Sequence, residues 1–420
     1  MEPVSSLLHL SSTVGKRRYW LLPGGVDPSA RVLLAGRAVR AFVDGYVAVL
    51  LPAYLLALGL APLDVGLLST ATLAGSALAT FAVGAIGHRW AHRRLLRGAA
   101  LAMAATGFAF AAASGFWPLA LIAFVGTLNP SSGDVSVFAP LEQARLAEHA
   151  DGGGRAALFA RYSVTGVLFA AVGALAAGVP AWIAAHTGYS LLAALRTMFA
   201  LYGIAGIAVW MLYRALPDPP RTPEAQPGPL VASRAIVIRL AAIFCIDSFA
   251  GGLVVNSLLA LWLFQRFGVS LSGAGLFFFC AGMLSAASQL AAPVVAQRIG
   301  LLNTMVFTHI PSSIFLILAA LAGRVEVAIG LLLLRSALSQ MDVPTRTAFV
   351  MTVVTPSERS AAASFTAVPR SLASALSPSL GGALFAAGAL SAPLLACGVL
   401  KIAYDLTLLY TFRKYRDPVE

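Results

Sequence analysis

The sequence predicts an all-α integral membrane protein of twelve transmembrane helices arranged as two pseudo-symmetric six-helix bundles. Three observations predict it. Of 420 residues, 59% are hydrophobic and only 11% are charged, with a mean hydropathy of +0.84. A water-soluble domain carries about 25% charged residues because its surface faces water. Apolar runs of roughly 20 residues, long enough to cross a bilayer as a helix, recur along the chain. The chain also repeats itself. An offset of 209 residues links Gly59 to Gly268, Gly66 to Gly275 and Arg89 to Arg298. Phe42-Val43-Asp44-Gly45-Tyr46 echoes Cys245-Ile246-Asp247-Ser248-Phe249 once an insertion of about six residues is allowed, and further on Asp134 echoes Asp342 and Arg155 echoes Arg359. A duplicated, very apolar chain of this length points to a membrane transporter.

The first six spans fall at about 38–59, 65–86, 95–115, 117–140, 156–178 and 190–214. The second six fall at about 236–264, 272–294, 302–323, 326–350, 362–387 and 392–412. Each run is uniformly apolar and twice the length of a barrel strand, so helices satisfy the backbone in lipid. The 38 glycines and the many alanines suit helices packed backbone to backbone. Pro217-Asp218-Pro219-Pro220-Arg221-Thr222-Pro223, continuing to Pro227-Gly228-Pro229, cannot prolong span six, because proline lacks the amide hydrogen a helix needs. The expected divisions are a cytoplasmic tail (1–30), a first bundle (31–215), a cytoplasmic linker (216–234), a second bundle (235–412) and a cytoplasmic tail (413–420). The short apolar run before Lys16-Arg17-Arg18 is not a cleavable signal peptide.

A net charge of +12 raises the question of a nucleic-acid partner, and its placement excludes one. Arg89, Arg93, Arg94 and Arg97 follow span two; Arg145 and Arg155 follow span four; Arg298 follows span eight; Arg359 follows span ten. The linker holds Arg214, Arg221 and Arg234, and Arg413, Lys414 and Arg416 follow span twelve. The loops at the other ends (60–64, 179–189, 388–391) carry no Lys or Arg; Arg266 and Arg324 are the exceptions. This asymmetry puts both termini in the cytoplasm and the protein in the cytoplasmic (inner) membrane. Cys245, Cys280 and Cys397 all lie in apolar spans with neither framework nor metal-ligand spacing, so they read as inert buried thiols. No cofactor or metal is expected.

The segment after span two reads Gly84-Ala85-Ile86-Gly87-His88-Arg89-Trp90-Ala91-His92-Arg93-Arg94. It resembles the best-known motif of the major facilitator superfamily: Gly, three residues, Asp, a basic residue, any residue, Gly, then two or three basic residues. His88 stands at the Asp and Ala91 at the second Gly. Gln297-Arg298-Ile299-Gly300 resembles the second copy, again without the Asp. Ser377-Pro378-Ser379-Leu380-Gly381-Gly382 in span eleven resembles the antiporter motif of that family's helix five. Gly178-Val179-Pro180 in span five does not match it, so antiport does not follow. The resemblance covers all twelve spans. It implies two bundles around a central cavity, rocking between inward-open and outward-open states.

Ionisable groups at membrane depth cost about 2.5 kcal/mol or more, so they face protein or water and usually have a partner. Asp44 and Asp247 occupy matching places in spans one and seven, which line the cavity in the resembled family. Each is a candidate for proton coupling or substrate contact, or else part of a static pair. Arg40 lies one turn before Asp44, whereas Asp247 has no basic residue within a turn. Asp134 lies in Asn129-Pro130-Ser131-Ser132-Gly133-Asp134, a polar break in span four, and with Asp342 it suits a cytoplasmic gate. Arg335, Ser339, Asp342 and Arg346 share one helical face in span ten, where Arg335 either meets a substrate anion or forms an interhelix salt bridge. Arg161 and Arg370 in spans five and eleven are natural counterions, as gate bridges or as anion contacts. Arg89 and Arg298 are gate candidates from the motif. Lys401 and Asp405 are spaced to pair along span twelve, while Arg196 and His309 lie nearer the outer face and can reach water.

The chain lacks Gly-x-x-x-x-Gly-Lys-Ser/Thr, His-Glu-x-x-His and Gly-x-Ser-x-Gly, so no enzyme or nucleotide-driven pump is expected. Gly152-Gly153-Gly154 reads as a flexible turn. The expected function is secondary active transport of a small molecule by a monomer, driven by protons, most simply efflux of apolar or amphipathic compounds. An anionic metabolite is the alternative cargo, and a transporter-like receptor or scaffold the remote one. The arginine distribution makes a topological prediction. A cysteine placed at Pro223 should react with an impermeant thiol reagent only from inside; labelling in intact cells would reverse the orientation.

Overall fold

A computed structural model describes residues 30–86, 90–131, 136–148, 152–217, 231–355 and 358–413. The tails and most of the central linker lie outside the described residues. Among those described, the chain is helical throughout, and twelve spans can be followed. The first bundle comprises α1 (Ala30–Ala57), α2 (Pro62–Ile86), α3 (His92–Ala112), α4 (Phe116–Val125) with α5 (Phe138–Glu148), α6 (Gly152–Leu175) with α7 (Val179–Thr187), and α8 (Leu191–Arg214). The second comprises α9 (Arg234–Gly252) with α10 (Asn256–Phe267), α11 (Leu271–Ile299), α12 (Leu301–Leu321), α13 (Val325–Ser339) with α14 (Asp342–Val353), α15 (Arg359–Ala386) and α16 (Ala392–Phe412).

Spans four, seven and ten are each two helices end to end. The break in span four follows the expected Asn129–Pro130 interruption, where proline removes a backbone donor. The breaks at Leu253–Val255 and Gln340–Met341 had no proline or glycine signal of that strength. Two expectations are corrected. Gly152-Gly153-Gly154 opens α6 instead of forming a turn, and the loop expected at 179–189 is largely the helix α7, with Pro180 in its first turn, where no amide donor is needed. Span eleven, α15, is a full 28-residue helix despite its serines, Arg359, Arg370, Pro369 and Pro378.

Small residues set the packing. A methyl group on Gly45 would lie 2.0 Å from the Ala170 carbonyl oxygen, and one on Gly173 would lie 1.9 Å from that of Phe42, so α1 and α6 touch backbone to backbone. The two bundles meet in the same way. A methyl on Gly66 would lie 2.5 Å from the Pro378 carbonyl oxygen, and one on Gly382 would lie 2.8 Å from the Gly66 Cα. Thr70 Oγ1 accepts from the Ser379 amide at 2.9 Å, and Ser69 and Ser257 share a hydroxyl hydrogen bond at 3.1 Å. These contacts cluster at the arginine-poor ends of the helices. They reach the midplane at Ser163, which donates to Gln289 at 3.2 Å.

Outside the span ends, Glu358 accepts from the amides of Val231, Ala232 and Ser233 at 2.7–2.8 Å and so satisfies the donors at the entrance to α9. Those bonds hold its carboxyl down at about 2. The clamp is therefore fully formed at neutral pH, and is lost only as pH falls below the ordinary carboxylate range and through that value.

The Ser69–Ser257 contact allows a direct test of the bundle interface. Ser69→Cys with Ser257→Cys should form a disulfide under mild oxidation and arrest transport, with recovery on reduction. Free turnover of the crosslinked protein would show that this end does not need to open.

Candidate functional site

Buried charge is concentrated in one network per bundle. In the second bundle Asp247 is the centre. Its α9 position, near the middle of span seven, is surrounded by α12, α14 and α16. Lys401 Nζ donates to Asp247 Oδ1 at 2.6 Å and Arg346 Nη1 donates to Oδ2 at 3.1 Å. Arg346 Nη2 also lies 2.8 Å from Asp342 Oδ2, one helical turn away along α14. His309 Nδ1 lies 3.0 Å from Asp405 Oδ2, and His309 Nε2 lies 3.3 Å from Lys401 Nζ. Side-chain exposure falls from 12% at Lys401 to 0% at Asp405. Four helices thus enclose three carboxylates, two permanent cations and one imidazole.

Two further arginines border this network. Arg370 on α15 donates from Nε to Ser248 at 3.2 Å and lies over the Phe244 ring, on which Arg346 also rests, at 5.8 and 5.7 Å. Arg335 on α13 is within electrostatic reach of Asp247 and beside Cys397. Both side chains are half-buried, and among the described residues no carboxylate lies within salt-bridge distance of either. A guanidinium at this depth without a carboxylate can still accept an anion as its partner.

The first bundle is organised around a residue that sequence reading overlooked. Glu142 on α5 is fully buried, and it takes a salt bridge from Arg40 and hydrogen bonds from the Tyr213 and Tyr162 hydroxyls, the last at 2.5 Å. Arg40 lies over the Phe138 ring at 4.0 Å and Arg37 over the Tyr162 ring at 5.0 Å. Asp44 sits one turn further along α1, within electrostatic reach of Arg40 and Arg37 and beside the Tyr202 hydroxyl. Arg145 and Arg93 donate to the Pro217 and Leu216 carbonyls at 2.7 and 3.0 Å and finish the end of α8.

The candidates from sequence therefore separate. Asp247, Asp342 and Arg346 come together, with Arg335 and Arg370 adjacent; Asp44 belongs to the other cluster. Arg161 is half-buried, with Nη1 lacking a hydrogen-bond partner, and Arg298 is exposed. Arg89 and Asp134 lie outside the described residues. The expected Lys401–Asp405 pair is corrected: Lys401 reaches across to Asp247, and Asp405 turns to His309. His309, expected to reach water, is 3% exposed. Arg196 is half-buried and donates to Ser114 at 2.6 Å. The three cysteines are free thiols, as expected.

The chain matches the model of the Major Facilitator Superfamily over residues 33–334. It belongs to that family of membrane transporters. A curated relative, the uncharacterized membrane protein YJR124C of Saccharomyces cerevisiae, is 22% identical, the alignment covering 91% of this chain and 93% of the yeast protein. Among solved structures, a bacterial homologue of the human lysosomal transporter Spinster, inward-facing and occupied, superposes with a TM-score of 0.73 at 16% identity over 93% of this chain and 98% of its own. The nucleoside transporter NupG superposes at 0.69 with 13% identity, over 93% and 100% of the two chains. The human organic anion transporter MFSD10 superposes at 0.64 with 17% identity, over 91% and 100%.

The Glu142 cluster yields a stability prediction. Glu142→Ala leaves Arg40 buried and unpaired, which should destabilise the first bundle by about 3–5 kcal/mol. Thermal unfolding in detergent measures it; an unchanged midpoint would show that Arg40 is solvated by other groups.

Proposed function

We propose that the protein is a proton-coupled secondary active transporter of small amphipathic organic anions, working by alternating access in the cytoplasmic membrane with both termini inside. The carrying observation is the pair Arg335 and Arg370, half-buried at membrane depth without carboxylate partners among the described residues. Burying a guanidinium is costly, and an anionic cargo would offset that cost each time it binds. The apolar surroundings suit a cargo with a hydrocarbon portion, in keeping with the amphipathic compounds expected from the sequence, and the arginines add the negative group. The organic anion transporter among the structural neighbours is compatible with this reading, which rests on the arginines.

Coupling is assigned to the network around Asp247, in preference to Asp44. Asp247 ties span seven to spans ten and twelve through two cations, so a change in its pairing would be felt by three helices. A ligand shifts a conformational equilibrium only by its unequal affinity for the two states. Contacts at the arginine-poor ends correspond, with the proposed orientation, to an outward gate that is shut.

Proteoliposome uptake tests both parts. Arg335→Gln and Arg370→Gln should weaken apparent affinity for anionic compounds about tenfold or more, with neutral compounds little affected. Equal losses for both classes would remove the anion reading. Asp247→Asn should abolish accumulation against a gradient while leaving counterflow exchange; parental pH-gradient-driven accumulation in that variant would remove the coupling assignment.

A further inference from the structure

We infer that His309, clamped between Asp405, Lys401 and Asp247, is a proton-binding site whose occupancy decides whether its Nε2 accepts from Lys401 or donates to Asp247. The inference rests on the proton-coupled reading above and locates the proton on a residue which that reading does not use.

The argument starts from hydrogen-bond direction. Asp405 is fully buried on α16, and His309 Nδ1 faces both its carboxylate oxygens, at 3.1 and 3.0 Å. A carboxylate only accepts, so Nδ1 carries hydrogen. The other ring nitrogen, Nε2, faces the Lys401 ammonium at 3.3 Å. An ammonium only donates, so in this arrangement Nε2 offers its lone pair and the imidazole is neutral. Yet Nε2 also lies 3.9 Å from Asp247 Oδ1, the oxygen that Lys401 already holds at 2.6 Å. That oxygen has two lone pairs, so it can accept from Lys401 and, once Nε2 carries a proton, from His309 as well.

The enclosed carboxylates are Asp247, Asp342 and Asp405; the enclosed cations are Arg346 and Lys401, and Arg335 and Arg370 border them within electrostatic reach of Asp247. Protonation also ends the Lys401 contact, because Nε2–H then faces an ammonium. The new N–H turns to Asp247 and Lys401 loses both its imidazole acceptor and sole claim to Oδ1. No covalent bond is made or broken beyond the transfer of one proton from water to Nε2. The groups facing His309 from the packed elements are Lys401, Tyr404 and Asp405 on α16, Asp247 on α9, and Arg346 and Asp342 on α14; Ser312 on its own helix bonds the Arg335 carbonyl of α13. Tyr404 meets the ring edge-on at 5.9 Å and offers it no acceptor pointed at Nε2. Lys401 is the most exposed member of the set at 12%. Asp247 lies within electrostatic reach of Arg335 and Arg370, so a proton on Nε2 is felt at the arginines proposed to hold the anion.

The test uses a full-length protein in which His9, His88, His92, His149 and His186 are all replaced by Gln, so that His309 is the single imidazole. Labelled with carbon-13 histidine and followed by infrared or NMR spectroscopy in the absence of cargo, it should show the imidazole taking up one proton as the medium is acidified while the protein stays folded. An imidazole that stays in one form throughout overturns the inference, whatever transport shows. In proteoliposomes, His309→Gln keeps a donor for Asp405 and an acceptor for Lys401 but cannot titrate. Its pH-gradient-driven accumulation of a medium-chain fatty carboxylate should fall about tenfold or more while exchange persists. Parental accumulation in His309→Gln overturns the site and leaves coupling at Asp247 standing. A titrating His309 in a protein that never responds to a pH gradient keeps the proton site and removes the coupling reading.

Discussion

A carboxylate at membrane depth needs cations within reach, and in this protein that requirement ties spans seven, ten and twelve together. The energy of transferring an isolated ion out of water exceeds the net stability of a whole bundle, so a carboxylate such as Asp247 persists only where cations reach it. Lys401 and Arg346 come from two other spans, and neither could serve if those spans shifted by a helical turn. The first bundle meets the same requirement with opposite polarity. There the first helix supplies the cation, Arg40, and the fourth supplies the acid, Glu142; in the second bundle the first helix supplies the acid and the fourth the cation. The duplication preserved which helices are joined and not which charge sits on which.

Glycine carries the complementary part. Tight backbone contact between α1 and α6, and between α2 and α15, leaves no room for slack. The first contact is within a bundle and the second between bundles. The proposed rocking would separate surfaces that are as close-packed as those that stay together. Serine and threonine hydroxyls at the α2–α15 and α2–α10 contacts supply hydrogen bonds that water can replace when they part.

The fold was legible because membrane insertion is written in composition. Span length follows from a one-dimensional constraint, and the described helices lie close to the apolar runs, except in span four, whose second half, Phe138–Glu148, runs past the expected end at 140. The repeat also marked Asp247 and Asp342, which do belong to the buried network. Pairings were less legible, because a sequence displays only neighbours along a helix. Lys401 and Asp405 looked like partners at that spacing, yet side chains one turn apart can each face a different helix. Glu142 was hidden by its place near the end of an apolar run, where an acid ordinarily reads as a solvated helix end. His309 gave one usable signal: with Asp405 it is a second titratable group midway along a span that the repeat does not mirror.

The network's outer members stand on helices that also face lipid. On α12, Phe307 is 58% exposed two residues from His309; on α16, Leu406 is 53% exposed immediately after Asp405. The imidazole–carboxylate pair is thus one side-chain layer from the acyl chains. Its donor and acceptor sit on two helices whose separation and tilt respond to bilayer thickness. Stretching or thinning the membrane would act on the separation of those two helices, and so on the contact between the imidazole and the carboxylate that joins them.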